Sequence, residues 1–208
     1  MDKIAFIEKF TASVNAPGSA LTPKHSEIVS WLEGYIKQNR RKWHYFTGPQ
    51  FRFFFFLCNA ITLGIFNRIF KKTLLWNMYF RSKITGAAIE KIYDNFGSDV
   101  IDFSTDTPLF FYGGTLGDKG YWLITAEKVA FKMFGGKGFG DQTKVASKVG
   151  VYKFSEIKSI TLDPSGWTKV GIGVSVDGES VGALYYDERK VGANALTGVF
   201  NYLISKAK

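Results

Sequence analysis

The chain has 208 residues, a formal net charge of +9, and 46% hydrophobic residues that include 20 Phe, 10 Tyr and 5 Trp. That apolar share excludes a chain too polar to bury a core, and the length suits one large domain or two small ones. The basic excess points to an anionic partner (nucleic acid, acidic lipid or acidic protein) without choosing among them. The lone cysteine, Cys58, cannot close an internal disulfide. Its apolar neighbours mark it as a small buried hydrophobe, which fits a reducing cytoplasm.

Residues 1–104 read as helical. The opening stretch carries charges at Asp2, Glu8 and Lys9 and no apolar run of signal-peptide type. Ile4, Phe6, Ile7 and Phe10 instead predict a short amphipathic helix that docks on the rest of the chain. In "SEIVSWLEGYIKQNRRKW", Ile28, Trp31, Leu32, Tyr35 and Ile36 recur at helical spacing, with Ser26 as the expected N-cap. Gly48-Pro49 breaks the chain, and a further helix carries Ile84, Ala87, Ala88, Ile92 and Phe96 before stopping at Gly97.

Between these helices lies the most unusual segment. Residues 34–89 contain no Asp or Glu but ten Lys and Arg, and residues 43–80 contain thirteen aromatics. Within it, "FRFFFFLCNAITLGIFNRIF" places fifteen residues between Arg52 and Arg68. A helix of that length spans about 22 Å at 1.5 Å per residue, against about 30 Å for a bilayer's hydrocarbon core. A single span would need both arginines to snorkel. An in-plane anchor fits the pattern, with Arg40, Arg41, Lys42, Arg52, Arg68, Lys71 and Lys72 at headgroups and Phe53, Phe54, Phe55 and Phe56 inserted. Trp43, Tyr45, Trp76 and Tyr79 would then sit at the interface. The third reading is a buried helix of the core with a solvated basic face. A single-strand nucleic-acid platform ranks below these, because it wants aromatics alternating with basic residues and Phe53–Phe56 are contiguous.

Residues 105–208 change character. Seven short β-rich runs alternate with Gly, Asp and Pro turns: "LFFYGGTL", "GYWLITAE", "KVAFKMF", "VGVYKF", "IKSITLD", "KVGIGVSV" and "SVGALYY". A final helix follows, with Leu196, Val199, Phe200 and Leu203 on one face and Asp187 and Glu188 at its start.

"GYWLITAEKVAFKMF" resembles the central hairpin of GRAM and bacterial pleckstrin-homology-like (PH-like) domains, its two strands joined at Thr125-Ala-Glu-Lys. "VYKFSEIKSITLD" resembles the strand pair that follows, with Phe154, Ile157 and Ile160 inward. The resemblance covers roughly residues 105–208 and implies an α+β chain: a helical N-terminal region, then a seven-stranded PH/GRAM-like β-barrel capped by the C-terminal helix. It also implies a non-enzymatic module that binds phosphoinositides or proteins. The first hairpin loop, "GGTLGDKG", offers only Lys119 beside Asp118, a poor seat for a multiply charged headgroup.

Chemistry is sought without success. His25 and His44 have no partner at metal-ligand spacing, and His25 is expected in a loop near an N-cap. "FGGKGFGDQTK" has its glycines between strands and no following GK[ST], so it reads as a hairpin loop. Asp94, Asp99, Asp102 and Asp106 read as turn and cap residues. No metal, cofactor or catalytic residue is assigned. The reading is a cytoplasmic module, peripheral to an anionic membrane or bound to a protein partner, and open to homo-oligomerisation. Its alternative is a soluble scaffold or oligomerisation protein whose Phe-rich helix is core.

Overall fold

The computed structural model describes residues 1–38, 57, 60–61, 77–113, 121–133, 148–168, 171–185 and 190–208. The described residues form four α-helices and two antiparallel sheets. The helices are α1 (Lys3–Asn15), α2 (Pro23–Gln38), α3 (Gly86–Phe96) and α4 (Lys190–Ala207). One sheet runs in the order β1 (Asn77–Phe80), β2 (Pro108–Gly113), β3 (Tyr121–Thr125), β4 (Lys128–Met133), β5 (Lys148–Lys153). The other holds β6 (Ile160–Thr168), β7 (Gly171–Val176) and β8 (Glu179–Tyr185).

The expected seven-stranded barrel is therefore wrong. Each of the seven expected runs overlaps a strand, β2 to β8, but they form two separate sheets. An eighth strand lies inside the region read as helical: β1 pairs antiparallel with β2 from Asn77↔Gly113 to Phe80↔Phe110, so the outer edge of β2 is already paired, and no ladder among the described residues joins the two sheets. Among the described residues, β8 pairs only with β7. A four-residue run such as "NMYF" has too few positions to show a period, so it could not be told from helix in the sequence.

The middle strands of the five-stranded sheet are buried on both faces. All five residues of β3 are buried. Trp122 and Ile124 face one core, Tyr121 and Leu123 the other. A register shift between Pro108 and Phe110 adds a residue to β2, so Leu109 and Phe110 both join the first core while Phe111 joins the second. The first core lies between the two sheets. There α2 supplies Ile28 and Leu32, and α4 supplies Leu196, Val199, Phe200 and Leu203. Phe154, Ile157 and Ile160 point into it, as the pattern predicts. The second core joins Phe6, Phe10 and Val14 of α1 to Ala88, Ile89 and Ile92 of α3 and to the sheet's other face. Both cores thus draw on residues before and after 104, where the expected division into 1–104 and 105–208 falls.

Local signals set the element ends. Asp2 caps α1 by accepting from the Ala5 amide at 2.9 Å, and Thr85 caps α3 through the Ala88 amide at 3.3 Å. Helix α2 starts earlier than expected. Thr22, not Ser26, accepts from the His25 amide at 3.2 Å, and Pro23 takes the first helical position, where its missing N–H costs nothing. Asp177 and Gly178 both adopt positive φ (51° and 86°), as the two-residue β7–β8 turn demands. The Asp177 carboxylate also accepts from the Lys158 and Ser159 amides at 2.7 and 2.8 Å, tying that turn to the entry of β6.

Candidate functional site

None of the residues singled out for anion contact or for apolar insertion is among the described residues. Arg40, Arg41, Lys42, Arg52, Arg68, Lys71, Lys72 and Phe53–Phe56 lie outside the described residues, as do Cys58, His44 and the loop at 134–144. Three positions of the apolar run are described: Leu57, Ala60 and Ile61, all helical and all exposed. Leu57 is 44% and Ile61 73% exposed, four positions apart, the spacing of neighbours on a helix surface. Of the basic residues that are described in this segment, Lys37 and Lys83 are exposed.

Arg81 is not available as a surface cation. It is buried, with φ at 40°, and its Nη2 donates to the Ala16 carbonyl at 2.8 Å, at the C-terminus of α1. A cation suits the negative end of a helix. Burial lowers its pKa, and Glu33 works against that.

The structure also builds a polar cluster that the sequence did not show. His25, expected in a loop, sits buried in the first turn of α2. Its Nδ1 lies 2.9 Å from the Thr107 hydroxyl and its Nε2 3.0 Å from a Glu127 carboxylate oxygen. Lys24 grips the same carboxylate at 2.8 and 3.1 Å. An ionised carboxylate only accepts, so Nε2 carries a proton, and in the neutral ring Nδ1 accepts from Thr107. Burial alone would raise the Glu127 pKa, but hydrogen bonds and charge from Lys24 and His25 outweigh it and hold the carboxyl below its ordinary range. Beneath them, Asp106 Oδ1 accepts from the Thr107 and Glu127 amides at 2.8 and 3.2 Å. Burial pushes the Asp106 carboxyl up, against the pull of Thr125, the two amides and Lys128.

This cluster has a structural cause. Ala126 and Glu127 link β3 to β4 without positive φ, so the turn lacks the backbone that a two-residue hairpin favours. Bonds from outside hold it instead. Thr125 Oγ accepts from the Lys128 amide at 3.0 Å, Thr107 O accepts from Ala126 N at 2.9 Å, and Glu127 O accepts from Phe154 N at 2.9 Å.

Hydroxyl, imidazole and carboxylate in line resemble a nucleophile, its base and the group that orients it. Acyl transfer would also need amide donors for an oxyanion. The Thr107 and Glu127 amides are both committed to Asp106, and Thr107 is itself buried. The bonds of this arrangement join α2, the entry of β2 and the β3–β4 turn. A cleft of about 320 Å³ opens onto the cluster between α1, the start of α2 and residues 103–107, lined by His25, Asp106 and Thr107 together with Ser13, Thr22, Ser104 and Lys9. Among the described residues no group of three or more His, Cys, Asp or Glu could hold a metal ion.

Asp102 stands where its turn needs it: it accepts from the Ser104 amide and hydroxyl at 2.9 and 2.6 Å, which lowers its pKa. Asp94, expected at a turn or cap, lies inside α3 and pairs with Lys3 at 3.0 Å. No helix of the described residues is long and apolar enough to cross a membrane. Comparison with protein-family models, curated proteins and solved structures finds no match.

Proposed function

We propose that the chain is a non-enzymatic module that settles on an anionic membrane surface through its acid-free, aromatic segment. The observation that carries this reading is the exposed pair Leu57 and Ile61, four positions apart inside a stretch with ten cations and no anion. A core helix would bury such a pair. An interfacial helix leaves it outward until the bilayer takes it. Each Lys or Arg near an anionic leaflet adds about 1 kcal/mol, so the basic residues supply attraction and the apolar ones insertion. The folded core is the rigid body that this segment brings to the surface. The likeness of residues 120–163 to GRAM and PH-like hairpins supports a binding role over a catalytic one, at the level of fold analogy alone.

Flotation with liposomes tests the proposal. The detergent-free protein is expected to float with phosphatidylserine-containing vesicles, less so at high salt, and weakly with pure phosphatidylcholine. Leu57→Glu with Ile61→Glu is expected to abolish flotation while leaving the circular dichroism unchanged. A folded protein that floats with neither vesicle overturns the membrane reading and leaves a protein partner as the anionic ligand.

A further inference from the structure

Strand β5 ends the five-stranded sheet, and among the described residues only β4 pairs with it. Its outer face is apolar and open: Val149 is 43% and Val151 51% exposed, two residues apart and so on the same side. An edge unpaired among the described residues and carrying exposed valines is a template for another strand. We infer that this edge pairs antiparallel with β5 of a second copy of the chain, across a two-fold axis at Gly150, to form a continuous ten-stranded sheet.

Register makes the case for a second copy. A two-fold axis normal to the sheet sets one residue of β5 opposite itself. With Gly150 there, Val149 of each chain falls opposite Val151 of the other, and four valines meet on one face. Directly opposed β-branched pairs are the units that stabilise a sheet. The same register sets Lys148 opposite Tyr152 and carries Lys153 beyond the end of the other strand, so no lysine faces a lysine. Centring on Val151 instead would set Lys153 opposite Val149. Lys153 thus favours this register as well as guarding the edge. Gly150 fits the axis for a second reason. A Cβ there would lie 2.8 Å from the Tyr152 ring, so Tyr152 already covers the position and the strand has no side chain in the way at its centre. Isologous contacts of this kind close on themselves and give a dimer rather than a filament.

Each copy carries a formal charge of +9, so the copies repel and added salt strengthens their pairing. Membrane flotation has the opposite salt dependence, which keeps the two readings separable. Sedimentation equilibrium of the full chain over a dilution series, at low and high salt, is the test. The expected result is a mass approaching twice 23.3 kDa, reached at lower concentration in high salt. Val149→Glu with Val151→Glu is expected to give a folded monomer throughout. If that pair unfolds the chain, Val149→Thr with Val151→Thr keeps the β-branched shape and is expected to weaken the dimer. A wild-type chain that stays monomeric at every concentration and salt overturns the inference. So does a dimer that survives folded valine variants.

Discussion

The two faces of the five-stranded sheet are covered in different ways. The inner face meets α2, α4 and the second sheet, so its core gathers residues from Ile28 to Ile204. Among the described residues the outer face meets α1, α3 and their flanking residues Ile84, Val100 and Ile101, and its core ends at Ala130. Phe200 touches Trp122, Phe131 and Phe154 and so ties α4 to β3, β4 and the end of β5, whereas Phe10 packs on Phe6 and Phe103 within one corner. The inner core holds the fold's long-range order, and the outer core docks the N-terminal helix. The outer helices also stop short of β5, which is why Val149 and Val151 are left open.

Phe200→Ala is expected to break this contrast most severely. Removing a fully buried Phe costs about 3–5 kcal/mol, and at this position the loss is expected to reach both sheets. Urea unfolding should show the full cost in one cooperative transition. Phe10→Ala removes a side chain buried to the same degree, with a cost in the same range, about 3–5 kcal/mol. Hydrogen exchange sharpens the comparison: amides of α1 should exchange faster in this variant while those of α2 keep their protection. Uniform loss of protection would show that the two faces form one unit.

Gly198→Ala probes the α2–α4 contact of the inner core. A Cβ at 198 would sit 2.5 Å from the Tyr35 hydroxyl oxygen and 3.2 Å from its Cζ, so the ring must shift and give up its bond to the Ala195 carbonyl. The expected cost is about 1–3 kcal/mol. Tyr35→Phe in the same chain removes the nearest atom. The helix preference of Ala over Gly, about 1 kcal/mol, should then offset much of that cost, and denaturation of the four chains of a double-mutant cycle reads the coupling.

The smallest effect is expected from Asp177→Asn. Two amide bonds hold the Asp177 carboxyl below its ordinary pKa, so its contribution is present above the unfolded value of about 3.9 and is lost as pH falls through the folded value. The variant should melt below the wild type at neutral pH, and the gap should close as the solution is acidified past the folded pKa. A gap that persists in strong acid would show that shape, not charge, holds the β7–β8 turn.

Much of this architecture was legible in residue order because its signals are local. Phe6 and Phe10, Ile28 and Leu32, or Leu196 and Leu203 declare a buried helical face within one or two turns, and Gly or Asp at strand ends declares a turn. Seven strands followed by a helix could be read for that reason. The polar cluster could not, since His25 and Glu127 are 102 positions apart and neither has a local partner that hints at the other. The same holds for Arg81, whose carbonyl partner belongs to α1. The basic residues chosen for anion contact were chosen on composition, which speaks to charge and not to placement.

Period and turn chemistry, then, were enough for the identity and order of most elements, because each depends on φ, ψ and solvent preference over a few residues. Sheet closure depended on something else. The row of backbone N–H and C=O groups on the outer edge of β2 is taken by β1, and no ladder among the described residues joins the two sheets. That choice rests on pairing across the chain, which no window of the sequence contains, and only the tertiary structure decided it.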